Sequence, residues 1–207
     1  MFRNIFNPDT PLMQTLAQIA DCIFLSLLWV LCCFPVITLG ASSAALYDSV
    51  FRAYRQGEKN SWGRFFSVFK DNFIASLLPA LLFIALFTLL VKGVVAVWNA
   101  AVFGSISWML FAAAALVGML ALGILGLMFP VLSRFENGFF GLLKNSLLLG
   151  LANLPRTMGL GILYAASILL CARFVVPLFF LPALMSLIST LLVEPMFKPF
   201  MPEEETM

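Results

Sequence analysis

Residues 73–97 read FIASLLPALLFIALFTLLVKGVVAV, twenty-five positions with a single charge, Lys92. At a helical rise of about 1.5 Å per residue, the run is long enough for the ~30 Å hydrocarbon core of a bilayer. It is apolar on every side, without the polar face of a helix at a protein surface. Its solvent must be lipid. Of the 207 residues in the chain, 62% are hydrophobic and 11% are charged, and the mean hydropathy is +1.04. Soluble domains carry about 45–50% apolar and about 25% charged residues, and a soluble fold of this size has too much surface to hide the excess.

Working outward, four further runs have the same character, at about 14–39, 106–132, 157–172 and 174–193. The reading is an all-α integral membrane protein, a five-span helical bundle with amphipathic helices in its cytoplasmic loops. It forms a single transmembrane domain over 1–195. A flexible acidic tail, 196–207, carries Glu203, Glu204 and Glu205.

The first run starts after an Asn7-Pro8 turn, with Thr10 as cap and Pro11 at the first helical position. Gln14, Gln18 and Asp21 make a polar stripe at its entry. Pro35 kinks or ends it, and Gly40 supplies a flexible stop. Small residues at 40–45 resemble a signal-cleavage site. The segment before them is too long for a leader, carries Asp9 and Asp21, and has only Arg3 as a basic residue, so it reads as a retained span.

Residues 41–56 read as an amphipathic helix, with Asp48, Arg52 and Arg55 on one face and Asp48 and Arg52 at ion-pair spacing. Ser61 opens a short aromatic helix with Trp62, Phe65, Phe66 and Phe69. It suits either an interfacial position or packing on the bundle. The last two runs are separated by a very short turn, which implies a tight hairpin.

Basic residues set the topology. The segment 40–72 holds Arg52, Arg55, Lys59, Arg64 and Lys70, and the segment 133–156 holds Arg134, Lys144 and Arg156. The link 98–105 holds none. The positive-inside rule puts the two long segments in the cytoplasm, the N-terminus outside and the C-terminus inside. A short echo pairs FFSVFKDN at 65–72 with FFGLLKNS at 139–146, as in two parallel span–loop–span units followed by a fifth helix.

The chemistry is sparse. The chain has no histidine, which removes the commonest general base and metal ligand. The four cysteines, Cys22, Cys32, Cys33 and Cys171, form no C-x-x-C pair and read as small buried hydrophobes. No nucleophile elbow, zinc-protease motif or phosphate loop is present. A net charge of +2 draws in no nucleic acid. The reading is therefore a non-enzyme without a cofactor. Asp21 and Lys92 lie near span ends and can snorkel to the headgroups. Two small-xxx-small pairs, Ala114 with Gly118 and Gly161 with Ala165, permit close helix approach, either within the chain or against another subunit.

Trp29 with FPVITLGASSAALY at 34–47 resembles the signature of the YesL-like family of small bacterial membrane proteins. So do FPVLSRFEN at 129–137 and KNS at 144–146 with NLPR at 153–156, and the resemblance extends over nearly the whole chain. The family has no settled biochemical activity. Its members tend to be encoded beside sugar-import ABC transporters and glycan-degrading enzymes.

The resemblance implies an accessory or regulatory role in the bacterial cytoplasmic membrane, in contact with the membrane subunits of a carbohydrate ABC importer. Two other functions stay open: a small stand-alone transporter or channel, and a membrane-embedded enzyme or chaperone for lipid or glycan. Self-association into a homo-oligomer also stays open. The expected contact surface is Pro35, Thr38, Gly40, Ser42, Tyr47, Arg52 and Arg55 with Phe65, Phe66 and Lys70, together with Arg134 and Asn137 where the third span meets the cytoplasm.

The topology is directly measurable. A fluorescent protein fused after Met207 should fold and fluoresce in intact cells, and an alkaline phosphatase fused there should be inactive. The reverse pattern would invert the assignment.

Overall fold

The computed structural model describes residues 11–55, 60–104, 108–134 and 138–197, with side chains from residue 20 onward. The Asn7-Pro8 turn, the Thr10 cap, the side chains of Gln14 and Gln18, Asn137 and the 198–207 tail lie outside the described residues. Eight α-helices make up the described chain: α1 (Pro11–Cys33), α2 (Leu39–Arg55), α3 (Ser61–Asp71), α4 (Phe73–Val102), α5 (Trp108–Arg134), α6 (Phe139–Ala152), α7 (Leu154–Arg173) and α8 (Leu181–Phe197). Among the described residues there is no strand.

Three helices, α4, α5 and α7, are long and apolar enough to cross a membrane. Shorter apolar stretches occupy Ala20–Cys33 in α1, all of α6 and all of α8.

The first expected span is interrupted. α1 stops at Cys33, a 3-10 turn follows at Val36–Thr38, and α2 begins at Leu39. Pro35 cannot donate an N–H to the helix, and Thr38 takes over the carbonyls left at its end. The Thr38 hydroxyl donates to the Pro35 carbonyl at 2.5 Å and also to that of Cys32. Gly40 is no flexible stop. It lies inside α2, where a Cβ would sit 2.8 Å from the Ser76 carbonyl oxygen of α4. Its role is to let two backbones approach.

The end of the chain also differs from the expected 174–193 span. A 3-10 turn at Val176–Phe179 precedes α8, so a longer connection replaces the tight hairpin. Pro177 opens that turn and Pro182 sits in the first turn of α8, positions where proline loses no helical hydrogen bond. The third residue of α8 is capped from across the fold: the Ala183 N–H donates to the buried Ser26 hydroxyl of α1 at 3.1 Å. α8 also runs through Met196 and Phe197, both buried, so the tail does not begin at 196.

α4 and α5 form an antiparallel pair, with Trp98 against Trp108 at one end and Phe83 against Phe129 further along. α2 reaches from the first turns of α4, where Gly40 meets Ser76, to the last residue of α5, where Phe51 meets Arg134. It therefore lies at the open end of the α4–α5 pair. Every residue of α2 from 40 to 51 is buried except Ser43. The expected amphipathic helix of a cytoplasmic loop is in fact the core helix, packed on α1, α3, α4, α5 and α8. Its alanines, serines and glycine are what let five neighbours come close.

The segment 139–152, read as part of a loop, is helix α6. The echo paired Asn72 with Ser146, yet Ser146 lies inside α6. The structural counterpart of Asn72 is Asn153. Each ends one helix and starts the next, and each turns its side-chain NH2 to the carbonyl four residues back, Val68 at 3.1 Å and Leu149 at 3.3 Å. Each also accepts the N–H four residues on, from Ser76 at 2.9 Å and Thr157 at 3.0 Å.

The α5–α7 seam is the tightest in the fold. A Cβ on Gly161 would lie 1.9 Å from the Met119 carbonyl oxygen, and one on Gly123 would lie 2.1 Å from that of Thr157. Gly126 leaves room for the Tyr164 ring. Gly161→Val should therefore destabilise the protein by at least ~1–3 kcal/mol, the usual cost of overpacking. Gly93→Ala, with nothing within 4 Å, should be neutral or slightly stabilising. Thermal unfolding midpoints in detergent measure both, and equal midpoints would contradict the seam.

Candidate partner-contact end and its ionic brace

A helix buried on all sides has no water for its charges, so each carboxylate there needs a partner. Asp48 is 1% exposed and accepts from two arginines: Arg52 Nε at 3.1 Å on its own helix, and Arg64 Nε at 2.6 Å on α3. The pairing of Asp48 with Arg52 was legible from the i, i+4 spacing. The contribution of Arg64 was not, because it needs α3 folded back along α2.

A second cluster lies on the adjacent face of the same turns of α2, at Tyr47 and Phe51. Arg134 Nη2 of α5 donates to Glu194 Oε1 of α8 at 3.1 Å, and the Tyr47 hydroxyl donates to the same oxygen at 3.1 Å. The Arg134 guanidinium carbon sits 3.8 Å from the centre of the Phe51 ring, a cation–π contact that strengthens away from water. Arg134 Nε is buried with no hydrogen-bond partner. The two clusters pin α3, α5 and α8 to α2. Glu194 was missed in the sequence. An acid ending an apolar run beside Pro195 was the available signal, since such a residue needs a cation at its own depth.

The expected contact residues divide sharply. Gly40, Ser42, Tyr47 and Phe65 are buried, Thr38 and Arg52 are half-buried, and the Arg134 side chain is 8% exposed. Their contacts are internal. Pro35, Arg55, Phe66 and Lys70 are exposed. α3 packs on the bundle through Phe65 and Val68, and Trp62 stacks on Phe24 of α1 with ring centroids 3.9 Å apart; Phe66 and Lys70, at i+4 and i+8 from Trp62, extend from it as an exposed stripe.

Of the packing pairs, Gly161 is taken up by α5, with Ala165 half-buried on the same helix. Ala114 and Gly118 are half-buried on α5, and a Cβ on Gly118 would lie 3.6 Å from Val94 of α4. Lys92 is exposed on α4 and Asp21 is half-buried on α1. Among the described residues no three His, Cys, Asp or Glu side chains gather as a metal site would require.

Residues 22–94 match the family model described as "Protein of unknown function, DUF624". The DUF624 match runs from the second half of α1 into α4 and includes Tyr47, Asp48, Arg52 and Arg64 of the brace. It points to an uncharacterised family, consistent with the YesL-like resemblance. No curated protein and no solved structure matches the chain.

The second cluster makes a double-mutant prediction. Arg134→Met or Glu194→Leu alone strands a buried charge and should cost about 3–5 kcal/mol. The double variant should recover much of that loss, because nothing charged is then left unpaired. Unfolding midpoints of the four proteins give the coupling, and strictly additive losses would show that the pair does not interact.

Proposed function

We propose that this protein is an accessory or regulatory membrane subunit that docks on the membrane subunits of a carbohydrate ABC importer and acts by protein–protein contact. In this reading α1, α4, α5, α7 and α8 cross the bilayer, the braced basic end faces the cytoplasm, the N-terminus is outside and the C-terminus is inside. The observation that carries it is the exposed stripe of α3. Phe66 and Lys70, with Arg55 nearby in sequence at the end of α2, face outward from a helix pair that the Asp48 ion pairs hold in place, and Trp62 flanks them, one side of its ring stacked on Phe24 of α1. Aromatic and basic side chains on a fixed scaffold are the composition of a docking surface. The resemblance to the YesL-like family supplies the class of partner.

The geometry also selects the variants. Arg52 is engaged with Asp48, so reversing its charge would disturb the fold along with any partner. Arg55→Glu with Lys70→Glu reverses charge only at exposed positions. Tagged protein purified from native membranes in mild detergent should bring down permease subunits in near-stoichiometric amounts. The double variant should lose most of them at unchanged expression. Recovery of the protein alone or as a homo-oligomer, with the permease present in the same membranes, would overturn the docking reading. It would then turn attention to solute flux in liposomes.

A further inference from the structure

Above the middle of α2 the helices do not close. A cavity of about 320 Å³ lies between α2, α4, α5, α7 and α8, with Trp29 of α1 on its wall. That volume is at the lower end of the range for small-molecule sites, ~300–1,000 Å³. The lining is mainly aliphatic and aromatic, with Phe83, Phe87, Leu122 and Phe129 among its residues, and it contains no Lys, Arg, Asp or Glu.

The polar groups on the wall are mainly hydroxyls, with the Tyr47 hydroxyl and the Cys171 thiol among the lining. Ser186 and Ser189 of α8, Tyr164 and Ser167 of α7 and Ser43 of α2 all line it. Ser43 accepts the Trp29 indole N–H at 3.2 Å, and Tyr164 hydrogen-bonds with Ser189. One more acceptor is built into the backbone. Gly126 and Pro130 both line the cavity, and Pro130 has no N–H to give the Gly126 carbonyl.

We propose that this cavity is a binding site for a neutral, single-chain amphiphile: one hydrocarbon chain ending in a hydroxyl group. Three observations select that class. The apolar wall suits a hydrocarbon chain, and the volume is too small for a two-chain lipid. The charge-free lining rejects a carboxylate or phosphate, because nothing there offsets the cost of taking an ion out of water. Hydroxyl-bearing side chains on α2, α7 and α8 offer both donors and acceptors to a terminal hydroxyl. Such amphiphiles partition from water into a bilayer and would reach the site from there. The site is independent of the docking surface on α3 and stands whether or not a permease is the partner.

Trp29 provides the readout. The full-length protein in phosphatidylcholine nanodiscs is titrated with undecanol carrying a terminal bromine, which quenches nearby indoles. The expected result is a saturable loss of emission on top of the linear loss from partitioning into lipid. That component should vanish in Trp29→Phe, which removes the reporter, and in Ser186→Phe, which fills the cavity. If Ser186→Phe does not fold, Ser43→Leu blocks the same wall. The matching bromoundecanoate, ionised at pH 8, should show only the linear component. Three results would each overturn the proposal: quenching that never saturates in the parent protein, saturable quenching that survives Trp29→Phe or the filled cavity, or a carboxylate that saturates like the alcohol.

Discussion

Asp48 sits on a helix that touches five others and almost no solvent, and the architecture around it follows from keeping that carboxylate neutralised. Its arginines come from α2 itself and from α3, which binds the α2–α3 pair by charge as well as by the packing of Phe65 and Val68. On the adjacent face of the same turns, Glu194 repeats the arrangement with Arg134 and Tyr47, and so adds α5 and α8. A buried ion pair adds little net stability over a hydrophobic replacement, but it strongly penalises alternatives that separate its partners. In a bundle whose outer surfaces are mostly apolar, helices have few other reasons to choose one register over another. The brace supplies that choice at one end, and the glycine seam between α5 and α7 supplies it in the middle.

The class of the fold was legible because it depends on composition and run length alone. The long apolar runs became α4, α5 and α7, with ends a few residues from those expected. The chain was misread where a side chain from a distant segment decides the outcome. Pro35 was seen to bend or end the first helix. The fact that Thr38 would gather the freed carbonyls and allow a new helix at once depends on three-dimensional geometry. The run at 174–193 contains Pro177 and Pro182, and each stands at the start of a separate helical segment. The largest misreading concerned α2, whose charges suggested a surface. Its small residues, Ala41, Ser42, Ala44 and Ala45, were the better indicator, because they mark a helix that many neighbours approach.

The candidate site was legible in part for the same reason. Arg55, Phe66 and Lys70 are as exposed as an interface requires. Most of the other residues of the set fall within the stretches that carry the family resemblance, and most of them hold the fold together from within. A residue that keeps a tightly packed core helix in place is as recognisable in sequence as one that touches a partner. Only burial separates the two.

The hydrogen bond from Ala183 to Ser26 joins the last helix to the first across nearly the whole chain. Translation delivers α1 before α8, so the groove beside Ser26 is filled only after everything between the two has been made. Glu194 arrives later still to meet Tyr47 and Arg134. Until then Arg134, already within the bundle, lacks its carboxylate, and the α2 surface meant for α8 is bare. The bundle therefore closes like a clasp when α8 joins α1, α2 and α5. A chain lacking α8 would leave the Arg134 guanidinium without its carboxylate and would bare the face of α2 that α8 covers.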